Sequence, residues 1–231
     1  MPCQCDVILP HQQKTGHLGR VARYGTGEWR QMGFFDLSTR DGVCEVRWHG
    51  RGGQGAITTA QYLAQAAYLS GFEGVTSAPS FGAERRGAPV TASSRLSHHS
   101  LRMFSQVETP DMVVVLDETL LEYGNATAGL KTGGWLIVNT QREPAEIDRT
   151  GRFSVATADA TSAAKEAGLI VAGTIMVNTA MLGAVAFATG IVELGNIGKT
   201  LSEKYAPKIA FKNYEAARLT CERTRLMPFQ R

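Results

Sequence analysis

Residues 49–60 read His49-Gly50-Arg51-Gly52-Gly53-Gln54-Gly55-Ala56-Ile57-Thr58-Thr59-Ala60. The run before them, Val43 to His49 (VCEVRWH), has strand character. The run after them, Ala56 to Leu69, places Ala60, Leu63, Ala64, Ala67 and Tyr68 at helical spacing and meets a stop at Gly71. Gly50 to Gly55 therefore satisfies G-x-G-x-x-G in the context that motif requires, between a strand and a helix. Glycines allow the turn to be tight and bring backbone N–H groups close to a ligand. The helix start adds unpaired N–H groups and a partial positive charge, which suit a phosphate. Two readings stand at this point: Gly52, Gly53, Gln54 and Gly55 cradle a phosphorylated ligand, or the segment is a tight turn with nothing bound. A nicotinamide cofactor also needs an acidic residue about 20 positions on, at the end of the second strand, to hold a ribose. Glu73 is the candidate, but it precedes its strand, in GFEG, which weakens that reading.

Working outward from the glycines, strand and helix alternate. A Gly/Pro/Arg-rich loop is expected over residues 76–89, a strand at Val90 to Leu96, and a buried strand at Met112 to Leu116 ending on Asp117. Helix-like sequence follows over Glu118 to Leu130, then a strand at Trp135 to Asn139 and another ending near Val155. Helices are expected at Asp159 to Ala167, Asn178 to Thr189, Gly198 to Tyr205 and Lys208 to Arg225, with a short buried strand at Leu169 to Val171. The fold class implied is α/β: a doubly wound, mostly parallel sheet with helices on both faces. Residues 1–42 stand apart as an irregular, polar N-terminal extension, and residues 43–231 form the domain. Trp29, Met32, Phe34, Phe35 and Leu37 make a small apolar knot in the extension, suited to a partner subunit or to the chain's own sheet.

Bulk composition narrows the function. With 24 basic and 21 acidic residues among 231, the net charge is +3, and no basic stripe argues for nucleic acid. The four cysteines, Cys3, Cys5, Cys44 and Cys221, are too scattered for a secreted disulfide framework. No signal peptide is visible in MPCQCDVILP, and a reduced, cytoplasmic setting follows. Gly168 to Val192 is uncharged and long enough to cross a bilayer, but its asparagine, threonines and glycines read as a buried strand, a turn and a core helix, so no membrane span is expected.

A second unusual segment, Ser80 to Pro89 (SFGAERRGAP), sets Arg85 and Arg86 between glycines, with Glu84 beside them. Guanidinium forks fit phosphates or carboxylates. The alternative is a solvated surface loop with an ordinary ion pair.

Together, GRGGQGAITTAQYLAQAA (50–67), PSFGAERRGAPVTASSRLS (79–97), PDMVVVLDETLL (110–121), GGWLIVNT (133–140) and VNTAMLGA (177–184) resemble the gamma subunit of the pyruvate:ferredoxin and related 2-oxoacid:ferredoxin oxidoreductases. Residues 1–42 depart from the pattern, since such subunits commonly begin close to the first strand. The resemblance implies a CoA-dependent oxidative decarboxylation that yields an acyl-CoA, carbon dioxide and two electrons for ferredoxin. It implies alpha, beta and delta partner subunits that hold thiamine diphosphate, Mg and [4Fe-4S] clusters. It implies that this chain contacts coenzyme A through Gly52, Gly53, Gln54, Gly55, Arg85, Arg86 and Asn178, carries no catalytic residue of its own, and is inactive alone. Pyruvate is the leading substrate, with a 2-oxoglutarate enzyme or a purely structural, ligand-free subunit as alternatives. The chain itself offers no Gly-Asp-Gly thiamine motif and no C-x₂-C-x₂-C cluster motif, which agrees with that division.

Lesser signals remain. Cys3, Cys5, His11 and His17 lie close together, but their spacing is not a common zinc pattern, and no metal is expected. Cys44 and Cys221 read as packing residues, and His98-His99 as a solvated turn. Asp117 either faces the ligand crevice or caps a helix. Asn178 either caps the helix it opens or reaches the ligand.

Overall fold

The computed structural model describes residues 42–79, 87–102, 105–123 and 125–230, together with the backbone of 21–23 and 29–31. The chain separates into two units, Met1–Gly33 and Phe34–Arg231. In the first, β1 (Val21–Arg23) and β2 (Trp29–Gln31) pair antiparallel. The apolar knot's side chains, Cys3, Cys5, His11 and His17 lie outside the described residues.

The second unit contains β3 (Val43–Arg51), α1 (Ala56–Leu69), β4 (Gly74–Pro79), β5 (Pro89–Ser97), β6 (Met112–Val115), α2 (Leu120–Tyr123), β7 (Trp135–Asn139), α3 (Pro144–Ile147), β8 (Ser154–Ala158), α4 (Ala160–Glu166), β9 (Ile170–Val171), β10 (Thr174–Ile175), α5 (Asn178–Thr189), α6 (Leu194–Lys204), α7 (Pro207–Arg223) and β11 (Arg225–Met227). Seven strands form one sheet in the order β11-β8-β7-β6-β3-β5-β4. The four strands β8, β7, β6 and β3 run parallel, β5 and β11 run against their neighbours, and β4, antiparallel to β5, returns to the common direction. The expected mostly parallel α/β sheet is what forms.

Side chains alternate across the pleat, so each strand feeds two faces. Cys44, Val46 and Trp48 of β3, Met112 and Val114 of β6, Ile137 of β7 and Ala156 of β8 point to the face covered by α1, α5, α6 and α7. Val113, Val115, Leu136, Val138 and Val155 point to the other, where Leu120 of α2, Ala126, Leu130, Phe153 and Ile147 of α3 cover them. Helices flank both faces, long on one and single turns on the other. The second face turns polar along β3 and β5. There the buried Arg95 donates from Nε to Glu45 at 2.8 Å and from its terminal nitrogens to the carbonyls of Ser105 and Gln106.

Several expectations are corrected. Residues 76–79 are not loop but the end of edge strand β4, whose Thr and Ser side chains need no buried face. The helix expected over 118–130 shrinks to one turn, since Asn125 and Gly129 adopt positive φ (45° and 73°) and end it. Val155 lies inside β8 rather than at a strand's end. Leu169 to Val171 does not form a buried strand: Ile170 and Val171 open an exposed hairpin, turned by Ala172 and Gly173, both at positive φ. The uncharged run up to Val192 resolves into that hairpin and the 12-residue helix α5. Among the described residues no helix is long and apolar enough to cross a membrane.

Candidate functional site

The site follows from how the chain leaves two adjacent parallel strands. From β3 it passes to α1 on one face; from β6 it passes to α2 on the other. The carboxyl ends of these strands therefore part around a crevice, the usual ligand position in an open α/β sheet. The glycine turn from Gly50 to Gly55 forms one wall, and Leu116 to Thr119 forms the other.

Glycine is required in the turn for two separate reasons. Gly53 and Gly55 adopt φ of 93° and 80°, the left-handed region open to glycine at little cost. A Cβ on Gly55 would also lie 2.6 Å from the Asn178 amide nitrogen, whereas one on Gly53 would meet nothing within 4 Å. Gly53 is thus the exposed lip of the turn. Helix α1 begins immediately beyond, with no side-chain cap and no acidic residue in its first turn, so its leading N–H groups keep their partial positive charge unopposed.

Each expected site residue has a definite place. Gly52 is backbone-paired with a neighbouring strand: its N–H donates to Ala88 O at 2.8 Å, and its carbonyl accepts from Gly87 N at 3.0 Å. Gln54 folds back onto the turn, where its Oε1 accepts the Arg51 N–H at 2.7 Å. Asn178 is the first residue of α5, and Val177 holds the cap position, so Asn178 is not the helix cap. Its side chain is 95% buried (5% exposed) against Gly55 and makes no hydrogen bond within the described residues. The amide nitrogen therefore stands directly beside the turn, within reach of a ligand seated on it. Arg85, Arg86 and Glu84 lie outside the described residues. The positions bracketing their segment, Pro79 and Gly87, are both toward the glycine-turn end of the sheet.

Asp117 bridges the turn before α2 to the glycine turn. Its carboxylate accepts Thr119 N–H at 3.1 Å, capping the turn into α2, and accepts Arg51 Nε at 2.8 Å across the crevice mouth. Burial alone would raise its pKa, but hydrogen bonds from Thr119 and Arg51 outweigh that and hold it below the usual carboxylate range. Glu73 lies beside Gly74, which is level with Ser97 and Val43 at the opposite end of the sheet. Eight residues of strand, about 25 Å, separate it from the glycine turn. It cannot hold a ribose there.

Sequence reading missed three participants. Arg51 and Thr119 join Asp117 in a network that depends on β3 lying next to β6; an arginine set between glycines was the available signal. His49, next to the turn, is buried on the polar face, and its Nε2 accepts Arg47 Nε at 3.0 Å. Burial and then the Arg47 charge depress its pKa to about 4. Among the described residues no group of three or more His, Cys, Asp and Glu side chains is placed to hold a metal ion. His98 is exposed and stacks on Phe72 at 4.5 Å.

Residues 45–223 match the family described as pyruvate ferredoxin/flavodoxin oxidoreductase. Over 185 residues the chain is 44% identical to the Thermococcus litoralis protein named pyruvate/ketoisovalerate oxidoreductases common subunit gamma, covering 79% of this chain and 97% of that one. It is 42% identical over 175 residues to pyruvate synthase subunit PorC of Methanocaldococcus jannaschii, covering 76% of this chain and 93% of that one. Among solved structures it resembles the pyruvate oxidoreductase subunit PORC of Thermotoga maritima, with a TM-score of 0.68 and 37% identity over 80% of this chain and 98% of that one.

Proposed function

This chain belongs to the pyruvate ferredoxin/flavodoxin oxidoreductase family, as the gamma subunit of a 2-oxoacid:ferredoxin oxidoreductase, and from that premise we propose that it holds coenzyme A for a pyruvate-oxidising complex. The enzyme it serves is an oxidoreductase that acts as an assembly. In it, pyruvate and coenzyme A give acetyl-CoA and carbon dioxide, and two electrons pass to ferredoxin. Thiamine diphosphate with Mg and the [4Fe-4S] clusters belong to the alpha, beta and delta partners, and the complex works in the cytoplasm. The 2-oxoacid is held by those partners, so a 2-oxoglutarate enzyme is the alternative that this chain's residues leave open.

The observation that carries the reading is the glycine turn itself: an uncapped helix start behind an exposed Gly53 lip, with the Asn178 amide beside it. Coenzyme A presents a pyrophosphate and a ribose phosphate, the polyanion for which backbone N–H groups and arginine forks are suited. A name among the relatives points the same way. A gamma subunit described as common to pyruvate and ketoisovalerate oxidoreductases fits a chain that binds the co-substrate both reactions share, rather than either acid. A purely structural chain would have no use for an open turn at an uncapped helix start.

The test is the double substitution Arg85→Ala/Arg86→Ala in the assembled, anaerobically purified complex. Losing two charge-assisted contacts should raise the apparent KM for coenzyme A by about tenfold or more. Pyruvate decarboxylation itself should be comparatively intact. An unchanged KM for coenzyme A removes the arginines from the site.

A further inference from the structure

Arg51 is the cation nearest the glycine turn among the described residues, and a phosphate site would seem to claim it as a ligand. Its hydrogen bonds run elsewhere. Nε donates to Asp117 Oδ2 at 2.8 Å, Nη1 to Gly87 O at 3.1 Å and Nη2 to Thr119 Oγ1 at 2.6 Å. Thr119 passes its own hydroxyl hydrogen to Asp117 Oδ1 at 2.6 Å, which closes the network. The backbone of Arg51 is engaged too: its N–H donates to Gln54 Oε1, and its carbonyl accepts from Gln54 N at 2.9 Å. Three chain segments thus meet on one planar fork: the turn, residues 87–88, and residues 117–119.

We propose that Arg51 is a positioning residue of the coenzyme A site rather than a phosphate ligand, cross-bracing the glycine turn against Gly87 and against Asp117 and Thr119. The proposal rests on the reading of the site given above. A turn rich in glycine has many accessible conformations, so its N–H groups converge on an anion only if something outside it fixes its shape. The brace supplies that restraint. Gly87 and Gly52, gripped from both sides, are joined by a backbone hydrogen bond of 3.0 Å. The side chains of Arg51 and Asp117 keep 32% and 21% of their exposure, so the pair's own electrostatic contribution to stability is small. Its value lies in direction, which the fork geometry of arginine provides and lysine does not.

Asp117 gives the decisive test, because the two roles predict opposite signs. If Arg51 is a phosphate ligand, removing the Asp117 carboxylate frees the cation, deletes a negative charge near an anionic substrate, and tightens coenzyme A binding. If Arg51 is a brace, the same change loosens the turn. In the assembled complex, Asp117→Ala and Arg51→Lys should each raise the apparent KM for coenzyme A by about fivefold to tenfold, with kcat at saturating coenzyme A within about twofold of the parent. The double variant should be no worse than the poorer single one, since both break one unit. Should Asp117→Ala prevent assembly, Asp117→Asn gives the same sign at lower amplitude. Hydrogen exchange of peptides covering residues 50–56 and 87–90 in the complex should also quicken in these variants. A lowered or unchanged KM in the Asp117 variants overturns the brace. Gly53→Ala separates the two levels: it strains the lip of the turn, at φ of 93°, and removes none of the Arg51, Asp117 and Thr119 side chains. If Gly53→Ala leaves the KM unchanged, the coenzyme A site falls and the brace's purpose with it. If Gly53→Ala raises the KM and Asp117→Ala does not, only the brace falls.

Discussion

His49 shows how a single residue ties strand β3 to the behaviour of the whole domain. Its imidazole is buried beside the Arg47 guanidinium, and accepting Arg47 Nε at Nε2 requires the neutral form. Its folded pKa is depressed from 6.5 to about 4, by burial first and the Arg47 charge second. The unfolded chain therefore binds a proton that the folded chain refuses between those values. Stability from this group is complete above pH 6.5 and is lost as pH falls toward 4, by on the order of 3 kcal/mol at most. Urea unfolding of the isolated chain should show a midpoint that drops between pH 7 and pH 5, and His49→Gln should flatten that drop. An equal drop in both proteins would locate the acid sensitivity elsewhere. At this scale the sequence was only partly legible. Gly53 and Gly55 stand out because their backbone requirement is local, and both adopt positive φ. The Arg51, Asp117 and Thr119 network was not, because it is made by residues 66 to 68 positions apart that only strand adjacency brings together.

At the scale of elements, two helices closed by glycines were read to the residue, whereas α6 begins at Leu194 rather than Gly198 and α7 ends at Arg223 rather than Arg225. α1 spans Ala56–Leu69 and α5 spans Asn178–Thr189, as their apolar spacing and flanking glycines require. Elements defined by their neighbours escaped: β4 is an edge strand of small and polar residues, and β11 is three residues recruited by pairing with β8. The same logic singles out Gly183, which looks like an ordinary small residue in an apolar helix. An added Cβ there would lie 1.8 Å from Ala217 O in α7 and 2.8 Å from its carbonyl carbon. Backbone cannot yield as a side-chain tip can, so α5 and α7 would be forced apart. Gly183→Ala should cost about 2–3 kcal/mol despite alanine's better helix propensity, lowering the Tm by roughly 5–10 °C. A thermal melt of this variant that matches the parent would show that the helices cross less closely than described.

At the scale of the molecule, the features of the proposed site collect at one end of the sheet. The glycine turn, the brace and the Asn178 amide gather at the carboxyl ends of β3 and β6, while the described residues present no metal-binding cluster. A hard redox reaction needs a cofactor to carry it, and under the proposed reading this chain holds the co-substrate instead. Motif order was enough to read the gamma-subunit family, because the glycine and arginine segments are distinctive as a pair in a sequence. The choice of 2-oxoacid was not legible, because the proposed reading leaves the acid to partner subunits. The central claim is therefore a claim about assembly. Its most direct test is anaerobic affinity purification of this chain from its native cell, with the eluted material assayed for pyruvate- and coenzyme A-dependent reduction of ferredoxin. Co-elution with chains carrying thiamine and iron–sulfur motifs, and reduction that requires coenzyme A, is the predicted result. A lone chain without such partners, or an assembly whose activity ignores coenzyme A, would contradict it.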